Sequence, residues 1–209
     1  MSARAALRLA GRDVFQNSWR LVPVNAAFGL VLVAVGMAAV AVHAALVFAV
    51  LAGPIAAALV HCSVTLVRTG NVALADARDG LRLHWRRGLQ FGVAGTALVV
   101  LAAVALRFYT RSTFGWPFAF LTVYLVVLLG IYAVVLFTFA VAEPDEPLRL
   151  AAREAAALGA RRPGATLLLG LALLLVNLAG VAAAVMPFLT LTVAYSFVAV
   201  AHFALPKES

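Results

Sequence analysis

Charge is scarce in this sequence, and where it is missing is informative. Lys and Arg number 16 and Asp and Glu 8, together 11% of 209 residues, while 65% are apolar. Soluble domains carry about 25% charged residues. None falls in residues 21–67, 89–106, 116–142 or 163–206. A surface this apolar is excluded from water and needs lipid around it. An acid or base inside an apolar run usually marks an ion path. Their absence argues against a proton pump or voltage sensor of the usual design.

Cysteine is nearly absent as well. Cys62 stands alone, so no disulfide forms within the chain and no redox compartment is indicated. No metal-ligand spacing, Gly-rich phosphate loop or nucleophile elbow is present. The expectation is no catalytic residue, no metal, no cofactor and no enzymatic activity. In the acidic stretch Glu143–Pro147, Asp145 and Glu146 read as helix-start charges rather than as a metal site. No cleavable leader is expected, because the first apolar run far exceeds a 7–15-residue signal core.

What remains is an all-α, polytopic pattern. A spanning helix needs roughly 20 apolar residues. The charge-free runs divide into six spans, near 21–52, 54–68, 89–106, 117–142, 165–186 and 187–205; the first is long and the second short, so a turn nearer His43 is the alternative there. Basic residues mark the cytoplasmic side. Apart from Arg107 and Arg111, every Lys and Arg lies before residue 21, in 68–87, in 149–162 or at the C-terminus. Both termini are therefore predicted inside a bacterial plasma membrane, with 107–116 outside. The net charge of +8 reads as a topology signal, suited to an anionic inner leaflet and not to nucleic acid.

The polar segments repeat. Residues 7–20, LRLAGRDVFQNSWR, align without a gap to 148–161, LRLAAREAAALGAR, and more weakly to 73–86, ALADARDGLRLHWR. Each copy holds an Arg–acid pair and an Arg eight positions after the first: Arg12-Asp13-Arg20, Arg78-Asp79-Arg86 and Arg153-Glu154-Arg161. Gly29, Gly95 and Gly170 fall at one offset in the following spans. Prolines open the second spans, at Gly53-Pro54, Trp116-Pro117 and Met186-Pro187. The chain reads as a single membrane domain, 1–209, of three units, about 1–70, 71–146 and 147–209. Each is a cytoplasmic amphipathic helix followed by a transmembrane hairpin. In the first, Leu7, Ala10 and Val14 form a stripe beside Arg4, Arg8 and Arg12. In the second, Asn71 is a candidate cap, and Leu74, Ala77, Leu81 and Trp85 share a face. Such helices are expected in the interface plane.

The Arg–acid–Arg sets are the candidate partner-docking or inter-repeat salt-bridge residues. Polar side chains inside the spans are His43, His61, His202, Asn25, Asn177, Tyr124, Tyr132 and Tyr195. His61 and Asn177 are the candidates for a polar path. Hydrogen bonding between helices is the commoner use of such residues.

Several short stretches carry a family likeness: NSW at 17–19, GPIAAAL at 53–59, LVRTGN at 66–71 and MPF at 186–188. Together, in order and spacing, they resemble the YesL-type family of small bacterial integral membrane proteins. The interval between Asn17 and Gly53 is longer than in that family. The resemblance implies an accessory role beside carbohydrate ABC importers and carries over no catalytic residue. Glu154-Ala155-Ala156 with Gly159-Ala160 is also similar to the loop by which importer permeases dock on an ATPase subunit. The Ile and Pro that follow in permeases are missing. The function expected is a non-enzymatic membrane subunit of a carbohydrate transport system, with ABC permease or ATPase subunits as partners. The alternative is an autonomous small-solute transporter or channel.

Overall fold

A computed structural model describes residues 1–183 and 186–205, the His43 side chain excepted. It is all-helical. In chain order the elements are α1 (Ala3–Gln16), α2 (Ser18–Ala41), a 3-10 segment (His43–Leu51), α3 (Ala52–Thr69), α4 (Leu74–Tyr109) and α5 (Trp116–Ala142). Then come α6 (Leu148–Arg161), α7 (Pro163–Ala182), a π-helical turn (Phe188–Thr192) and α8 (Val193–Ala204). Five helical stretches are long and apolar enough to cross a membrane: Ser18–Ala41, Ala44–Thr69, Leu74–Tyr109, Trp116–Ala142 and Pro163–Ala182. Phe188–Ala204 is a shorter apolar helix. The chain is a multi-span, membrane-embedded helical protein.

The first hairpin differs from its expected limits of 21–52 and 54–68. The chain turns at Val42, not at Gly53-Pro54. Pro54 ends nothing. The 3-10 segment runs straight into α3, with the Ala52 N–H bonded to Ala49 and Val50 carbonyls. Proline lacks an N–H to give, so it is tolerated in the first turn of the α-helix that follows.

The second amphipathic stretch is not a separate helix. Residues 74–109 form one helix of 36 residues, ~54 Å long at 1.5 Å per residue, against a hydrocarbon core of ~30 Å. About fifteen residues of α4 therefore stand beyond the apolar layer, so this copy does not lie in the interface plane. Its packed face is not the Leu74–Trp85 stripe. Gly80, His84 and Gly88 are buried, while Leu74, Leu81 and Trp85 are exposed. Asn71 does not cap α4; the Asp76 carboxylate accepts the Ala73 N–H at 2.7 Å instead.

The most buried elements are α3 and α8, which pack on each other. Their small side chains, Ala56–Ala58 in α3 and Ala194, Ala199 and Ala201 in α8, admit neighbouring backbones closely. The charged helices cover them. On α1, Ala3, Ala6, Ala10 and Val14 are buried, and α1 packs on α8. On α6, Ala151 and Ala155 are buried, and α6 packs on α5. The charged half of α4 packs on α3 through Gly80 and His84. Polar side chains tie these layers together at one end. Arg20 reaches the Asn71 side chain and the Val72 carbonyl, and Arg162 reaches the Met1 carbonyl at 3.1 Å. Arg87 collects the carbonyls of Ala140, Glu143, Pro144 and Glu146. The Ala140 carbonyl belongs to the last turn of α5, where no further turn exists to bond it, and the other three lie in the loop that follows. Arg68 pairs with Glu143 at 2.7 Å beside them, so Glu143 serves the end of α5 rather than the start of α6.

Candidate functional site

Glycine sets the geometry of the α3–α4 contact. Gly88 and Gly92, four residues apart, lie against Pro54, Gly53 and the Val50 carbonyl. A Cβ on any of them would strike backbone, so only glycine lets the helices approach this closely. About two turns nearer the charged end, Gly80 seats the His61 side chain. His84 Nε2 then stands 3.3 Å from His61 Nδ1, the ring centroids 5.2 Å apart. One imidazole donates and the other accepts. The His84 Nδ1 is buried and has no hydrogen-bond partner among the described residues. Among the described residues no group of three or more His, Cys, Asp or Glu is placed to hold a metal ion.

Asn177 lies elsewhere. Its amide donates to the Leu173 carbonyl at 2.8 Å and to Ser196 Oγ at 2.7 Å, joining α7 to α8. Ser196 in turn donates to the Thr192 carbonyl. His61 and Asn177 thus bond different pairs of helices. Asn177 borders a cavity of about 320 Å³ between α5 and α7. A second cavity, about 420 Å³, is bounded by Phe28, Phe91, Phe137 and Phe197, with Thr96 among its lining residues. His61 lines neither. Both are almost wholly apolar.

The three Arg–acid–Arg sets are used unequally. Asp13 accepts from Arg12 Nε at 3.1 Å and meets His202 Nε2 at 2.8 Å. Arg20 stacks on Trp19, and Arg86 on Trp85. Arg78, Asp79, Arg153, Glu154 and Arg161 are exposed. Among the described residues no ion pair joins one set to another.

Three features carry the packing: Asn25, which the sequence places only among the polar residues within the spans, and two that it does not single out, the Gly88–Gly92 pair and Arg87. Asn25 is fully buried on α2. Its amide donates to the carbonyls of Phe188 and Leu189, at 2.8 and 2.7 Å, and its oxygen accepts the Ala194 N–H at 2.6 Å. These are backbone groups of the π-helical turn and the first turn of α8. The Gly88–Gly92 spacing is a small-xxx-small pattern inside an apolar helix and was available as a signal. Arg87 was grouped with the topology arginines, and nothing local distinguishes it from Arg86.

No known protein family, curated protein or solved structure matches the chain.

Proposed function

We propose that the protein is a non-enzymatic membrane subunit that docks on a partner through its charged end, as an accessory or assembly factor of a carbohydrate ABC importer. One observation carries the docking part. Polar side chains within the bundle bond helix to helix, as Asn25, Asn177 and the His61–His84 pair do. The repeated groups Arg78, Asp79, Arg153 and Glu154 instead face outward. Glu154 and Ala156 are exposed on the stretch that resembles a permease coupling loop, while Ala155 is buried beneath them. The importer as partner rests on the YesL-type resemblance. An autonomous path for a sugar has less support, because His61 and Asn177 border no shared cavity and both cavities are lined almost wholly by apolar groups.

The proposed architecture is six spans in three parallel units, both termini cytoplasmic, in a bacterial plasma membrane. Cyclic packing supports it. The charged helix of each unit lies on the second span of the preceding one: α1 on α8, the charged half of α4 on α3, and α6 on α5. Val14, Gly80 and Ala155, which share a position in the repeat, are all buried. Purification of the tagged protein from native membranes in mild detergent tests the function. Permease or ATPase subunits in stoichiometric yield support it. A partnerless protein whose loss leaves sugar uptake intact overturns it.

A further inference from the structure

The groove between α5 and α7 has a shape and setting that the docking role does not use. α7 and α5 touch only briefly, and α8 floors the gap with Ser196 and Val200. Gly130 opens the α5 wall: a Cβ there would meet nothing within 4 Å. The lining is apolar apart from Thr166 at one end and Asn177 with Ser196 at the other. Thr166 to Asn177 covers eleven residues of α7, about 16 Å at 1.5 Å per residue. That is close to half of a hydrocarbon core of ~30 Å, the depth of one leaflet.

The surroundings say what reaches it. Leu167, Leu168, Leu171 and Leu178 on α7 are exposed, as are Leu125 and Leu129 on α5. In an apolar span such residues face lipid. Water is disfavoured in an apolar gap with so few polar partners. At the Thr166 end the charge changes abruptly. Thr166 Oγ1 donates to the Arg162 carbonyl at 3.0 Å, which places Arg162 one turn from the groove. Arg161 and Arg162 are both exposed there. Arg161 has no protein partner among the described residues, and Arg162 bonds only the Met1 carbonyl. Guanidinium groups bind phosphate in a planar, two-pronged fashion.

We infer that this groove holds one acyl chain of an anionic phospholipid, with the headgroup phosphate on Arg161 and Arg162. The site shares Arg161 with the third Arg–acid–Arg set, but it needs neither Arg153 nor Glu154. It differs from ordinary annular contact in three ways: a chain-length slot walled on two sides, a floor from a third helix, and paired arginines at its mouth.

The test is native mass spectrometry of the full chain extracted from vesicles of equal phosphatidylglycerol and phosphatidylcholine. One phosphatidylglycerol is expected to survive detergent concentrations that strip other lipid. Gly130→Leu projects into the slot from a position where a Cβ meets no atom within 4 Å. It is expected to lower the retained fraction roughly tenfold, the order set by displacing a few buried methylenes. Arg161→Gln with Arg162→Gln leaves the slot intact and is expected to abolish the preference for phosphatidylglycerol over phosphatidylcholine. Circular-dichroism melting confirms that each variant is folded; a misfolded Gly130→Leu leaves the arginine pair to decide. Unchanged retention and headgroup preference in the folded variants overturns the site, as does cross-linking that finds a second copy of the chain in the groove.

Discussion

His202 Nε2 stands 2.8 Å from Asp13 Oδ2, so the last helix is fastened to the first. The imidazole is buried, and the carboxylate nearly so. Removing His202 leaves Asp13 Oδ2 without its buried partner, while Arg12 still holds Oδ1. We expect His202→Ala to lower unfolding stability by ~2 kcal/mol, within the range for a lost buried polar partner. Asp13→Asn keeps a hydrogen bond and is expected to cost less. Equilibrium unfolding in mixed micelles checks both, with Asp79→Asn as the exposed counterpart expected to change little.

Asn25 does different work. Its three bonds go to backbone groups of the turn that leads into α8. A π-helical turn departs from the ordinary i to i−4 ladder, and buried backbone groups need partners. We expect Asn25→Leu to cost ~2–3 kcal/mol, at ~1 kcal/mol for each bond lost. Asn25→Asp is expected to cost as well, because it removes the N–H donors to the Phe188 and Leu189 carbonyls. The same unfolding assay reads both, and equal stability of wild type and Asn25→Leu contradicts the assignment.

The glycine contact between α3 and α4 gives a graded series. Gly88→Ala and Gly92→Ala press a methyl into backbone, and each is expected to cost ~1–3 kcal/mol by overpacking. Gly95→Ala, one turn further along α4, meets no atom within 4 Å and is expected to be neutral or slightly stabilising. Thermal melts of the three variants order them.

His61 and Asn177 separate a structural bond from a transport path. Each bonds a neighbouring helix, worth ~0.6 to 1.7 kcal/mol in a membrane. We expect His61→Ala and Asn177→Ala to lower stability by about that much and to leave sugar uptake in cells unchanged wherever the protein still accumulates. Loss of uptake at normal protein level contradicts this.

Much of the fold was legible because charge and apolarity in a membrane protein follow simple physics. The charge-free runs mark where α2, α5 and α7 lie, and the prolines at 117, 163 and 187 sit at or near helix starts. Pro54 misled for a definite reason. The 3-10 segment before it has the same apolar composition as a span, and composition does not reveal a change of helix type. The buried face of α4 is not legible from the sequence, because its residues lack the bulk that usually marks a packed stripe. Here the packed stripe is Gly80, His84 and Gly88, and close backbone approach replaces side-chain bulk. The Arg–acid pattern was found at once, yet its three copies look alike in sequence. Only the fold brings Asp13, and neither Asp79 nor Glu154, beside an imidazole from 189 residues away.

The central claim is that the outward-facing Arg–acid groups dock a partner. It is tested most directly by comparing what co-purifies with the native chain and with Arg78→Ala/Asp79→Ala and Arg153→Ala/Glu154→Ala variants from native membranes. Importer permease or ATPase subunits recovered with the native chain, and lost from at least one folded variant, are the expected result. The same partners recovered from all forms, or none from any, would contradict it.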